Sequence, residues 1–195
     1  MNPFPGPQPY RAADRDIFCG REDAAKRLGS TIVARRCITL FGPSGAGKSS
    51  LMQAAVIPEL VDSRDMRVVR IDSWPADKER TPEEWLLAAL FEQLRLGEPP
   101  EGMKPIDLLG LAIERAERKS SRPILIYLDQ MEQLLLQDRD PAHLDIFITC
   151  VDRLAGQPLA GLHVVLAMRE DYLGRFRDKA RGRSCLLYTS DAADE

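Results

Sequence analysis

The chain has 195 residues, a net charge of −3 and 44% hydrophobic residues, the make-up of one ordinary globular domain with mixed charges. No apolar run is long enough to cross a membrane, and the proline-rich opening Met1-Asn2-Pro3-Phe4-Pro5-Gly6-Pro7 does not have the form of a signal peptide. Cys19, Cys37, Cys150 and Cys185 are scattered, with only His143 and His163 beside them; this excludes a zinc spacing and points to reduced thiols in the cytoplasm.

The polar lead gives way to Ile17-Phe18-Cys19-Gly20-Arg21-Glu22 and then to a helix expected over 23–34, with Ala24, Ala25, Leu28 and Ile32 on its apolar side. Cys37–Phe41 is short, apolar and β-branched, and is expected to form a buried strand. Gly42-Pro43-Ser44-Gly45-Ala46-Gly47-Lys48-Ser49 follows and fits the phosphate-binding pattern G-x-x-x-x-G-K-[ST] at every fixed position. Ser50 opens a helix expected to run to about Ile57, with Pro58 kinking or ending it. Strand, glycine loop, helix is the setting this motif requires.

The residue types explain the chemistry. Glycines let the backbone wrap closely around a polyphosphate, and the helix that starts near Lys48 directs its positive end at the same anion. Lys48 is the compact cation for the β and γ phosphates. The Ser49 hydroxyl is a hard oxygen ligand suited to magnesium. The expected cofactors are therefore ATP and Mg2+.

A second strand is expected over 66–72. Thr81-Pro82-Glu83-Glu84 is a helix start, with Thr81 as cap and Glu84 closing a capping box. Leu86, Leu87, Leu90, Phe91 and Leu94 make the apolar face that follows. Another helix is expected over 105–118, with Glu114 and Arg118 paired on its outer side. Pro123–Leu128 is apolar throughout, as in the middle of a parallel sheet. Asp140-Pro141 opens a helix that Gly156 ends, and Leu162–Met168 is the last strand. Alternating strands and helices give the expected fold class: α/β, a P-loop NTPase parallel sheet flanked by helices.

Leu125-Ile126-Tyr127-Leu128-Asp129 has the form of a Walker B element, an apolar strand ending in a carboxylate. In a parallel sheet ligands gather at the carboxyl ends of the strands, so Asp129 is expected beside the glycine loop, holding magnesium with Ser49. Glu132 is the first choice for the group that orients or deprotonates the attacking water. Gln130, where many ATPases carry glutamate, is the alternative water-positioner. Arg169 follows the last strand and can approach the γ phosphate. His163, Trp74, Trp85 and Tyr172 are expected to be structural.

Several classes are excluded. Asn2 is the only asparagine, so a guanine-reading N-K-x-D motif is absent. No L-S-G-G-Q-like segment occurs, and acidic residues interrupt the arginines, unlike a helicase channel. Residues 185–195 match the translation of a transposase-type sequencing adapter and are expected to be non-native. They carry Asp191, Asp194 and Glu195 and no base, so the chain without them is neutral. The expected organisation is a lead at 1–21, an incomplete nucleotide domain at 22–184, and this tail.

The lead Asn2-Pro3-Phe4-Pro5-Gly6 with Pro9-Tyr10, the Ile17–Glu22 segment, the loop Phe41–Leu51, Leu128-Asp129-Gln130-Met131-Glu132-Gln133-Leu134, and Met168-Arg169-Glu170-Asp171-Tyr172 together resemble the novel STAND NTPase 1 group of bacterial proteins. The likeness spans about residues 2–175, and the lead with its Ile17–Glu22 continuation and the Leu128–Leu134 segment are the distinctive ones. It implies an ATP-binding switch related to the AAA+ ATPases, resting closed and opening when a sensor meets its trigger, with self-association on activation and a part in signalling or defence. It also implies C-terminal sensor repeats, possibly of WD40 type, beyond this chain, and places Gly20 and Arg21 on the adenine side of the pocket. No membrane or nucleic-acid partner is expected. Gln133 and Glu170 depart from the group's usual residues. Two other readings stay open: a scaffold that binds nucleotide without hydrolysing it, and an AAA+-like DNA loader.

Overall fold

The computed structural model describes residues 8–75, 80–136, 140–156 and 161–183, together with the backbone of 189–191. Residues 1–7, 76–79, 137–139, 157–160, 184–188 and 192–195 lie outside this set. Five strands form one parallel sheet in the order β2-β3-β4-β1-β5: β1 is Cys37–Phe41, β2 Arg67–Ile71, β3 Ile124–Leu128, β4 Leu162–Ala167 and β5 Thr189–Asp191. β3 and β4 are buried along their whole length, as their apolar runs require, with His163 the polar residue of β4. The register pairs Ile71 with Leu128, Leu128 with Leu166, and Leu40 with Ala167. The carboxyl ends of β1 to β4 therefore finish level, along one rim.

Helices cover both faces. α1 (Glu22–Ala34), α2 (Lys48–Ser50) and α3 (Ile57–Arg64) lie on one side, where Leu28, Leu51, Met52 and Leu60 pack with Ile38, Leu40, Leu125 and Val165. α4 (Pro82–Gln93), α5 (Pro105–Lys119) and α7 (Pro141–Gly156) lie on the other, against Val69, Ile126, Leu128 and Val164. Burying each such aliphatic side chain contributes about 1.5–3 kcal/mol.

The helix after the glycine loop does not stop at Pro58. Between α2 and α3 the chain is π-helical over Leu51–Val56, and it continues to Arg64. Proline has no N–H and its ring collides with the carbonyl four residues back; the wider π turn ahead of it relieves both problems. Buried Leu60 on the far side of Pro58 holds the continuation against the core. The other segments not anticipated are short: 3-10 turns at Ala12–Ile17 and Glu170–Tyr172, α6 (Glu132–Leu136) and α8 (Leu173–Lys179). β5 falls within the tail expected to be non-native. Its three residues pair with β1 through the backbone, and an open sheet edge offers such pairing to many sequences.

The capping box of α4 is present: Thr81 N–H donates to Glu84 Oε2 at 2.8 Å and Glu84 N–H to Thr81 Oγ1 at 3.4 Å. Next to it, buried Glu83 meets His143 Nδ1 of α7 at 2.5 Å. This hydrogen bond raises the His143 pKa, against a smaller desolvation penalty, and the charges of Glu83, Asp140 and Glu84 add to it. A raised folded pKa stabilises fully below the unfolded value of about 6.5 and is lost as pH rises through the folded one. The wild-type melting temperature should therefore fall from pH 6.5 upward more steeply than that of His143→Gln. Parallel profiles would remove this contribution.

Candidate functional site

The glycine loop leaves the tip of β1 and wraps back into α2. Gly42, Gly45 and Gly47 have φ of 153°, 80° and 80°, in the region that favours glycine, so the turn depends on these residues. Pro43 O accepts from Ala46 N–H at 3.2 Å, closing the bend that carries Ser44. Gly47 O then accepts from Leu51 N–H at 2.8 Å, which starts the helix.

Lys48 Nζ donates to the carbonyls of Gly42 and Pro43, each at 2.9 Å. Burial lowers its pKa, while the charges of Glu132, Asp129 and Glu170 oppose that and Arg169 adds to it. The ammonium is thus half-buried and, among the described residues, bonded to neutral oxygens, inside the field of three carboxylates and one guanidinium. An incoming phosphate offers it a charged acceptor and a stronger bond.

Asp129 stands two strands away at the tip of β3, 2% exposed. Its Oδ1 accepts from Gln130 N–H at 2.8 Å. Burial pushes its pKa up, and the Ser49 and Tyr127 hydroxyls and the Gln130 N–H favour the charged form. The two hydroxyls face the carboxylate, yet Asp129 Oδ2 and Tyr127 Oη have no partner at hydrogen-bond geometry. A buried, unpaired carboxylate oxygen turned toward a serine hydroxyl suits a hard divalent cation. No group of three or more His, Cys, Asp or Glu side chains able to hold a metal occurs among the described residues. Magnesium takes one or two protein oxygens and completes its shell with water and phosphate, so the Ser49 hydroxyl and the Asp129 carboxylate are donors of the right kind.

Glu132 begins α6, and its Oε2 accepts from the backbone N–H of Arg169 at 3.3 Å. The end of β4 is tied to the loop: Met168 N–H donates to Leu40 O at 3.0 Å and Glu170 N–H to Gly42 O at 3.2 Å. Arg169 and Glu132 are thereby held beside Lys48. The Arg169 guanidinium pairs with Asp171 and lies 5.5 Å from the Tyr172 ring. Gln130 has φ of +51°, and its side-chain oxygen is occupied by the Gln133 amide. Gln133 in turn accepts from Trp74 N–H at 2.7 Å, and Trp74 Nε1 donates to Asp129 O at 2.8 Å. Gln130 thus belongs to a scaffold that sets the backbone of Asp129.

On the other flank, Arg21 Nη1 donates to Ala46 O at 3.0 Å, so this arginine braces the loop itself. Gly20 has φ of +86°, and its N–H donates to Glu22 Oε1 at 2.9 Å. Ser50 Oγ accepts from Tyr10 N–H at 3.2 Å, which ties the lead to the helix. His163 is structural, its Nδ1 3.0 Å from Arg35 O. Trp74 packs edge-on against Phe147, with ring centroids 5.2 Å apart.

Two neighbours of Asp129 had not been singled out from the sequence. In the sequence Tyr127 is one member of an apolar strand, yet the period of two puts it on the same side of the chain as Asp129. Asp72, just past β2, adds a like charge that raises the Asp129 pKa and accepts from Gln53 Nε2 at 3.3 Å.

The fold is shared with solved structures. The chain resembles the Aeropyrum pernix ORC2 protein, solved with ADPNP and ADP, at 14% identity and a TM-score of 0.58 over 88% of this chain and 47% of that one. It resembles the Aeropyrum pernix ORC1 protein in complex with DNA at 18% identity and 0.59, over 88% and 44%. It resembles a Walker-type ATPase of Pyrococcus abyssi at 17% identity and 0.52, over 94% and 56%. The chain therefore spans about half the length of these structures. No curated protein matches it in sequence. Among the described residues no helix is long and apolar enough to cross a membrane. The sequence profile of the Novel STAND NTPase 1 group matches residues 3–188, nearly the whole chain, and the protein belongs to that family.

Proposed function

We propose that this chain binds ATP with magnesium in the Gly42–Ser49 loop and hydrolyses it slowly, as a regulatory switch of the STAND class in bacterial signalling or defence. The observation that carries this reading is the convergence on Lys48: a half-buried ammonium that donates to the Gly42 and Pro43 carbonyls and lies in the field of Asp129, Glu132 and Arg169 from two neighbouring strand tips. Lys48 and the loop amides would hold the β and γ phosphates, and Ser49 and Asp129 the metal. Magnesium, when bound, supplies neutralising charge to the phosphate oxygens. Glu132 accepts the proton of a water that attacks the γ phosphorus, and the bond to the bridging oxygen breaks as ADP leaves.

Support for slow turnover comes from the pairing of the Arg169 guanidinium with Asp171, which must open before that side chain can meet the γ phosphate. For a switch, ATP must favour one conformation over the other, since equal affinity shifts no population. Self-association and a C-terminal sensor region complete this proposal.

Glu132→Gln is expected to lower turnover about 100-fold or more while leaving ATP affinity within about threefold, as befits loss of a general base. A phosphate-release assay beside a binding titration checks it; unchanged turnover moves the base to another residue. A wild-type protein that binds ATP and releases no phosphate would instead favour the non-hydrolysing scaffold.

A further inference from the structure

We propose that Asp171 sets the discrimination between ATP and ADP by competing with the γ phosphate for Arg169, an inference that rests on the nucleotide reading above. The contact is specific. Arg169 Nε donates to Asp171 Oδ1 at 3.1 Å and Nη2 to Oδ2 at 2.6 Å, a two-point clasp of guanidinium on carboxylate. Tyr172 backs it, with Arg169 5.5 Å and Arg175 5.7 Å from its ring. Arg169, Asp171 and Tyr172 stand within four consecutive residues just past β4, the strand between the glycine loop and Asp129.

The geometry makes the clasp exchangeable. The backbone of Arg169 is fixed by its N–H bond to Glu132, and Glu170 is fixed to Gly42, so only the side chain needs to move. The two partners are 40% and 51% exposed, and exposed ion pairs contribute only about 0.2–1 kcal/mol. A γ phosphate presents several charged oxygens to the same planar fork and makes stronger bonds. ADP lacks that phosphate and leaves the clasp closed. Asp171 is thus a competitor that ATP displaces and ADP does not, and ATP affinity is reduced by the cost of opening it.

The test is titration of the 195-residue chain with ADP and with a non-hydrolysable ATP analogue, both with magnesium, for wild type, Asp171→Asn, Arg169→Ala, the double variant and Lys48→Ala. Asp171→Asn should tighten the ATP analogue about three- to fivefold and leave ADP unchanged, as expected from losing one exposed pair. Arg169→Ala should bring the two affinities closer together, and adding Asp171→Asn to it should change nothing more. A merely structural Asp171 would shift both nucleotides alike. If wild type binds nucleotide and Lys48→Ala does not, an unchanged ratio in Asp171→Asn overturns this proposal alone. If wild type binds neither nucleotide, the nucleotide reading fails and this proposal falls with it.

Discussion

Replacing Lys48 by alanine should weaken ATP binding about 100- to 1000-fold and leave the fold intact. The size follows from the bonds lost: an ammonium bridging two phosphates makes charge-assisted hydrogen bonds, each contributing about 1.5–3 kcal/mol. The fold should survive because burial disfavours the charged ammonium, lowering its pKa, and its partners are two loop carbonyls. The glycine conformations and the Leu51 to Gly47 bond that shape the loop do not involve its side chain. Calorimetric titration with circular dichroism as a folding control reads both parts. Near-normal affinity in a folded Lys48→Ala protein would mean the loop does not hold the phosphates.

Asp129→Asn is expected to divide stability from function. Without nucleotide the variant should melt at a higher temperature than wild type at neutral pH. Asp129 is buried, its Oδ2 has no partner, and burial raises its pKa. A carboxyl group with a raised folded pKa stabilises least once it is ionised, so the benefit of asparagine should appear as pH rises through that folded value and disappear in acid. Activity should move the other way. Loss of a metal-ligating charge removes several kcal/mol of transition-state stabilisation, and magnesium-dependent turnover should fall about 100-fold or more. Melting curves from pH 4 to 8 and turnover at increasing magnesium provide the check. A variant less stable than wild type with unimpaired turnover would contradict both halves.

These expectations rest on a site of which part could be read directly from the sequence. The glycine loop, β1 and β3 were legible because each is encoded locally: fixed glycines, a lysine at one spacing, a run of apolar residues closed by a carboxylate. The capping box at Thr81 was legible for the same reason, since its partners lie three residues apart. What escaped depends on distant partners. Pro58 signals a helix end in isolation, and only packing of Leu60 on the core shows why the helix continues through a π turn. The bond from Arg169 N–H to Glu132 joins residues 37 apart, and the Trp74–Gln133–Gln130 chain joins residues more than 50 apart. Gln130 has the form of a water-positioning group in the sequence; its pairing with Gln133, only three residues on, shows once the turn after β3 is built and Trp74 is docked against it. Tyr127 was obscured by its company, an aromatic in an apolar strand whose hydroxyl matters only once Asp129 and Ser49 are placed above it.

A crystal structure of this chain with a non-hydrolysable ATP analogue and magnesium would test the central claim most directly. The account predicts the triphosphate within the Gly42–Ser49 turn, Lys48 Nζ on its β and γ oxygens in place of the Gly42 and Pro43 carbonyls, and the metal between Ser49 and the Asp129 side. Nucleotide bound away from that rim, with Lys48 still on the two carbonyls, would contradict it.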